Sequence, residues 1–585
     1  MSNNMSRRNF LAGTGVAAAA MLGAGSAFAA SSGDTSGAMA AAEALGTKGG
    51  SIVAGADVFG RPYNDEYVVD IANGIPRWSF EIAPEPIPAD QIAEVIEDDI
   101  IVIGSGMAGL CVAASAAEQG GSVTLFSASS QPISRGGSNF SAYNKVIEEY
   151  GIPRLDPVDF FWREEKAASF SIDQQMWMRG YNNSEEAMNW VIDIARDADV
   201  EVFLERDNIN EGGPDYAIGF GAKGDDSGSA STGQQNAVEA VEEFALAHGA
   251  KIMYDIVAKQ LIREGDGPVT GVIGQKEDGS YIQFNGKYIV MATGGFCADK
   301  NMVAKYMPQV LPLVGLDPVE VDYNTGFALT GIFPGDGQKM GLWVGASWQH
   351  CTSAPIMQSA WAGSYEPLGF HQGLNVNMNT ERYQREDMTG PYSANHLLAQ
   401  PGHIAWGIWT ANFAQEIIDN GHEWYFFGNK YDVPAMAAED VVAMWDSSWS
   451  YTKADTLEEL AGKIGLDPEK LVAVVERYNE CVAAGEDLDF HKDPSNLIEI
   501  KPEGPFYAAR NYAMFMSTEA GLNTNCNLQV CDANNMPIPG LFNVGQMIGN
   551  MYANNYNFAI PGNSYGINCI TFGYLLGRDL AAGKF

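Results

Sequence analysis

Three glycine-rich turns carry the residue types that could hold and use a cofactor. The first reads Asp99-Ile-Ile-Val-Ile-Gly104-Ser105-Gly106-Met-Ala108-Gly109. Glycines at this spacing allow a tight turn and let the backbone approach a pyrophosphate at a helix N-terminus. Such a motif alone says little, but this one follows an apolar run and opens a small-residue helix, the context its chemistry requires. The second is Tyr288-Ile-Val-Met-Ala-Thr293-Gly294-Gly295-Phe296, a strand running into a turn that can pack against a ligand. The third begins at Pro537 and passes Gly545-Gln546. It reaches Ile560-Pro-Gly562-Asn563-Ser564-Tyr565-Gly566-Ile567 and the helical pattern that runs to Ala581. A glycine turn opening a helix offers N–H groups to an electron-rich carbonyl.

These turns need elements to position them. Ile100–Ile103 is an apolar run of the kind a buried parallel strand shows, Met107–Gln119 is helical, and Val123–Phe126 is a second strand. Together they make a strand–turn–helix–strand unit of the length of one nucleotide-binding half. The second strand ends at Ser127, where an acidic residue usually meets a ribose. A serine can hydrogen-bond the same hydroxyl, less strongly than a carboxylate. Ala258–Arg263 and Val269–Val272 read as a hairpin. The alternation of strands and helices predicts an α/β fold.

The 585 residues are enough for two or three cores, and 46% hydrophobic content excludes a disordered chain. With 34 basic and 73 acidic side chains the formal charge is −39, which argues against nucleic-acid binding. It suits solubility, and also encounter with a basic partner. The seven cysteines form no CxxC or CxxCH, so this chain attaches no c-type haem. Cys526 and Cys531 are close enough in sequence to pair, although buried free thiols are the favoured reading. The histidines show no metal-ligand spacing, so no metal is expected.

Residues 1–30 read as a twin-arginine export signal. Arg7-Arg8 precedes an apolar run from Leu11 to Ala24, and Ala27-Phe28-Ala29 supplies a cleavage site. Residues 31–97 follow as an Ala/Gly/Ser-rich linker and a strap containing Pro84-Glu-Pro86-Ile-Pro88. No later segment is continuous and apolar enough for stable membrane insertion. These features predict a periplasmic or otherwise extracytoplasmic protein.

The Gly104–Gly109 motif, Ala292-Thr-Gly-Gly-Phe296, Gly335-Asp336-Gly337 and Ile538-Pro-Gly-Leu-Phe-Asn-Val-Gly-Gln546, in this order, resemble one family over roughly residues 98–585. It is the FAD-binding family of soluble fumarate reductases (flavocytochrome c flavin domains), urocanate reductases and 3-ketosteroid dehydrogenases. The resemblance implies a Rossmann-like FAD domain (98–350 and 516–585) interrupted by a mobile α+β capping domain (351–515). It implies cofactor contacts at Gly104, Ser105, Gly106, Ala108, Gly109, Ser127, Ala258, Thr293, Gly294, Gly295, Asp336, Gly545, Gln546, Gly562, Asn563, Ser564 and Ile567. Gly136, Gly137, Ser138 and Asn139 would lie by the flavin.

The chain departs from the family's substrate site. Soluble fumarate reductases use an arginine acid, with further Arg and His side chains on the two carboxylates, because unpaired buried carboxylates are costly. Here Asn377…Arg382-Tyr383…Glu386 matches a cap motif, but the acid's place reads Thr389-Gly390-Pro391-Tyr392. The family's His-Thr-Met-Gly-Gly appears as Ser517-Thr518-Glu519-Ala520-Gly521, and a carboxylate-binding arginine would fall near Ala559. The Tyr-Pro-Gly of ketosteroid dehydrogenases is Ile560-Pro561-Gly562 here, with Tyr552-Ala-Asn554-Asn555-Tyr556 nearby. A tuned phenol can donate or accept a proton. Tyr556 is therefore the first candidate for acid–base work or substrate contact, with Tyr392 and Tyr565 behind it. Arg382 is a further candidate, with a structural ion pair as its other reading.

The resemblance implies hydride transfer from flavin N5 to an activated C=C bond, and the departures point to an enoate, enone or steroid-like acceptor other than fumarate. The export signal and the absence of CxxCH point to electrons from a c-type cytochrome or another redox carrier. Two alternatives stand beside it. One is a 3-ketosteroid-type dehydrogenase working oxidatively. The other is a flavin electron-transfer module without turnover, against which a separate cap of this size argues.

Overall fold

The computed structural model describes residues 68–72, 75–134, 137–206, 215–222, 230–313, 333–361, 373–425, 430–558 and 561–585. The export signal, most of the linker, Arg135, Gly136, Ala559 and Ile560 lie outside them.

A six-stranded sheet carries the glycine turns. Its order is Gln529–Cys531, Pro537–Asn543, Tyr288–Met291, Ile100–Ile103, Val123–Phe126 and Lys251–Met253. All neighbouring pairs are parallel except the first. Successive side chains of a strand point to opposite faces, and the apolar runs divide accordingly. Ile100, Val102, Val123, Leu125 and Val290 pack with the helices Met107–Glu118, Gln174–Asp197 and Phe572–Ala581. Ile101, Ile103, Phe126, Ile289 and Met291 pack with a second sheet. Both faces are covered, which is why these strands lack polar alternation.

The second sheet has the order Ile256–Arg263, Val269–Lys276, Tyr281–Asn285, Ile92–Glu97. Its first two strands form the hairpin read from the sequence. Ile92–Glu97, read as strap, is a strand parallel to Tyr281–Asn285.

A third, antiparallel sheet joins Ala354–Trp361, Phe506–Glu519, Ile404–Thr410 and Leu374–Asn377, with Tyr451–Ala454 also on Phe506–Glu519. It builds a capping subdomain whose core centres on Trp409, Trp445 and Tyr507 under the helices Leu457–Ile464 and Pro468–Ala484. The strand Phe506–Glu519 ties the two parts together. Its first residues lie in the cap core, and Thr518 at its far end accepts a hydrogen bond from Phe296 N–H at 3.2 Å. The 515/516 boundary expected from the sequence therefore falls inside one continuous strand.

Candidate active site

At the first turn, Gly104 has φ +112°, and a Cβ there would overlap the Ala292 carbonyl oxygen. A Cβ on Gly109 would overlap the Gly104 carbonyl oxygen. Gly106 caps the helix Met107–Glu118 without any side-chain hydrogen bond, and the nearest atom to a Cβ on it is Ile133 O at 3.8 Å. The helix opens with no acidic residue in its first turn. Its leading N–H groups and dipole thus face a space that suits a pyrophosphate.

Beside this turn stands a hydroxyl cluster. Ser127 Oγ lies 2.8 Å from Ser129 Oγ, which lies 3.0 Å from Ser105 Oγ. Ser129 escaped the sequence reading, and its only signal is the two-residue spacing from Ser127.

The second turn is held from three sides. Gln338 Nε2 donates to Gly294 O at 2.9 Å, Thr293 Oγ1 lies 3.5 Å from Met547 Sδ, and a Cβ on Gly295 would overlap Thr518 Oγ1. Asp336 opens the helix Asp336–Trp343. It shares a cleft of about 440 Å³ with Ala258, Phe80, Lys339 and Trp343. None of the glycine-turn residues lines that cleft.

The third turn is the most polar. Gly545 has φ +80° and sits against Ala108. Gln546 Nε2 donates to Ser517 Oγ at 3.2 Å. A Cβ on Gly562 would abut the Ser138 backbone, and Asn139 makes a reciprocal amide pair with Gln234 at 2.7 and 3.0 Å. Gly137 O accepts from Asn139 Nδ2 at 3.0 Å. Ile567 is fully buried and packs on Gly180 of the long helix. The segment expected to be a plain helix starts as a π-helix, Ser564–Thr571, before becoming α-helical.

Tyr556 is brought to this turn. Its phenol oxygen accepts a hydrogen bond from Ser564 N–H at 3.2 Å, so the N–H read as an offer to a ligand carbonyl is here engaged by a side chain. Ser564 Oγ donates to Glu519 Oε1 at 2.6 Å. Burial first, then the Glu519 and Glu164 carboxyls, push the Tyr556 phenol above its ordinary range, while the Ser564 and Asn563 backbone N–H groups pull it down. Tyr552 packs against it, ring centroids 5.0 Å apart, and is also pushed up by burial. Tyr565 reaches another quarter, 3.1 Å from Ser134 Oγ. Tyr392 lies half-buried on the cap helix Gly390–Leu398. One residue before that helix, Thr389 Oγ1 donates to Asn557 O at 3.4 Å.

Arg382 is held elsewhere, inside the cap. Its guanidinium donates to both oxygens of Glu386 at 2.8 and 2.9 Å and both oxygens of Asp487 at 2.8 and 2.7 Å. Tyr478 and Phe490 flank it. The geometry gives it the structural ion-pair role. Cys526 and Cys531 are both free; Cys531 is buried as expected, but Cys526 is half-exposed.

Two acids near the third turn were not legible in the sequence. Glu164 accepts from Asn557 Nδ2 at 2.9 Å and Asn563 Nδ2 at 3.3 Å, and burial pushes its carboxyl up to about 7. Glu205 accepts from Ser138 Oγ at 2.7 Å, and burial pushes it up to about 8. Glu164 sits on the buried stripe of the helix Pro157–Ala167, four residues after Phe160. An acid in an apolar stripe was the available clue.

Among the described residues, several buried polar atoms of this stretch and the helix after it have no hydrogen-bond partner within the protein. They are Tyr552 Oη, Asn563 Oδ1 and the side-chain amides of Asn555 and Asn568. Such atoms need partners, and the carbonyls and ring nitrogens of a flavin suit them, as the helix opening at Gly106 suits its pyrophosphate. The glycine turns at the carboxyl ends of a doubly covered parallel sheet, together with these buried polar groups, define a flavin-dependent oxidoreductase.

The chain matches the FAD binding domain family over residues 99–564 and belongs to it. It is 24% identical over 506 residues to vinyl phenol reductase of Lactiplantibacillus plantarum, covering 82% of this chain and 95% of that one. It is 26% identical over 489 residues to NADH:fumarate oxidoreductase of Klebsiella pneumoniae, covering 83% of this chain and 47% of that protein. The 3-ketosteroid-Δ4-(5α)-dehydrogenase of Rhodococcus jostii shares the fold, with a TM-score of 0.65 at 20% identity over 85% of this chain and 99% of that one. The protein is an FAD-dependent oxidoreductase acting on CH–CH bonds, and it is similar to cytochrome-type fumarate reductases and to 3-oxosteroid 1-dehydrogenases. Among the described residues no helix is long and apolar enough to cross a membrane.

Proposed function

We propose that the protein is an exported reductase that saturates an activated C=C bond conjugated to an aromatic ring or a carbonyl. Its acceptor is neutral or carries one acidic group. The observation that carries this reading is Tyr556, a buried phenol hydrogen-bonded by the backbone at the opening of the final helix. Bound FAD supplies the hydride. The protein's part is to hold the acceptor, exclude water and give a proton from Tyr556 Oη to the carbon beside the one that takes the hydride. Backbone N–H groups on the phenol oxygen stabilise the charge left behind, the usual means of electrostatic catalysis.

Fumarate fits this reading poorly. The cations a dicarboxylate needs are replaced by Thr389 and Ser517 in the family's positions. The likeness to vinyl phenol reductase, along 95% of that protein, supports a phenolic alkene. The twin-arginine segment supports work outside the cytoplasm, supplied by a c-type cytochrome or another redox carrier.

The test is anaerobic oxidation of reduced viologen by purified holoprotein, with vinyl phenol, cinnamates, urocanate, enone steroids and fumarate as acceptors. Turnover of a neutral or singly acidic acceptor supports the proposal, and Tyr556→Phe should then lower kcat by roughly 10²–10⁴-fold. Faster turnover of fumarate than of the others overturns it. Dye reduction by saturated ketones alone favours the oxidative direction.

A further inference from the structure

We propose that Glu164 is a positioning residue that clasps Asn557, next to Tyr556, together with Asn563, next to the Ser564 N–H that bonds the Tyr556 phenol, and so fixes where that phenol can deliver its proton. This rests on the reading of Tyr556 given above.

The loop leaves Tyr556 at Asn557 and returns at Asn563-Ser564. Glu164 receives the side-chain amide of each end, Asn557 on Oε2 at 2.9 Å and Asn563 on Oε1 at 3.3 Å. The residue after the second amide then donates its backbone N–H to Tyr556 Oη. One carboxyl group therefore closes a ring that begins and ends at the same phenol. Glu164 is 3% exposed, and no Lys, Arg or His forms an ion pair with it among the described residues. A buried acid held only by neutral amides costs stability. Aliphatic packing would serve a purely structural position better, so the site retains an acid against that cost.

The clasp depends on protonation. An ionised carboxylate accepts from both amides, whereas a protonated one surrenders an acceptor site. The ionisable groups that act on or with it are Arg163 on its own helix and the phenols of Tyr552 and Tyr556, which in turn meet Glu519 on the strand from the cap and, at Tyr552, Cys569 on the final helix. Burial is the largest influence on the Glu164 carboxyl and brings it to about 7.

The test uses full-length holoprotein with the fastest acceptor from the panel, together with a pH titration of the oxidised flavin spectrum, which needs no acceptor. Wild type should show a transition near pH 7 in both kcat and the spectrum. Glu164→Gln should lose both transitions, with kcat down roughly tenfold and KM changed by less than about twofold. Glu164→Asp, which keeps a carboxyl, should retain a transition. In the Tyr556→Phe background Glu164→Gln should cost nothing further, because a residue acting through another is not additive with it. Additive losses, or a Glu164→Gln protein that keeps the transitions, overturn the clasp. Full turnover by Tyr556→Phe alone instead removes the reading of Tyr556 on which the clasp rests.

Discussion

The first glycine turn and the last are built on different principles. At Gly104–Gly109 the backbone does the work. Carbonyl oxygens occupy the places where side chains would go, and no side chain caps the helix. At Tyr552–Ser564 the side chains do it. A phenol, two acids and several amides hold one another in a buried network. A backbone site accepts one ligand and tolerates almost no change. A side-chain network can be retuned residue by residue, which is how one FAD scaffold serves many substrates.

That contrast can be broken at several strengths. The largest effect on cofactor binding should come from Gly109→Ala, whose Cβ would enter the Gly104 carbonyl. Flavin absorbance per purified protein should fall at least roughly tenfold, a loss of affinity of about 1.4 kcal/mol or more. Arg382→Ala, remote from both turns, should act on stability alone. It leaves Asp487 without a cation and Glu386 with Lys492 alone inside the cap, and removing one partner of a buried pair costs about 3–5 kcal/mol. Denaturant unfolding would measure this; a specific loss of kcat with unchanged stability would return Arg382 to the site.

The last turn should also show itself in stability against pH. Glu164 has an ordinary carboxyl value of 4.5 and is raised to about 7 by burial in the fold. Between those values the unfolded chain has lost a proton that the fold keeps, so this group's contribution falls as pH rises and is level above about 7. Glu164→Gln should therefore gain on wild type by up to about 3 kcal/mol across that window, with Glu205 present in both proteins. A constant difference from pH 4.5 to 7 would deny the raised carboxyl. The smallest effect should be Ser127→Ala, which removes one member of the Ser105–Ser127–Ser129 hydroxyl cluster. FAD affinity should weaken by about 1 kcal/mol, readable as a several-fold higher Kd by flavin fluorescence.

Legibility follows the same divide. Gly104, Gly106, Gly109, Thr293, Gly294 and Gly295 could be read because a turn's demand on φ and on side-chain volume is local. The buried strands could be read because four consecutive apolar residues state that both faces are covered. Arg382 was recognised as part of a motif, but its two carboxylate partners lie 4 and 105 residues away, and only their arrival decides between catalysis and scaffolding. Glu164 was missed because its partners lie 393 and 399 residues along the chain.

The sequence by itself determined the cofactor class and the tight glycine turns, because glycine spacing and apolar runs act through the nearest few residues. Tertiary structure alone decided which polar groups meet. It took Tyr556 to the opening of the last helix, set Glu164 on Asn563 and Glu205 on Ser138, and sent Arg382 into the cap. Such meetings depend on chain closure over hundreds of residues. Burial then alters what each group costs to charge, and neither effect is written in any local stretch of sequence.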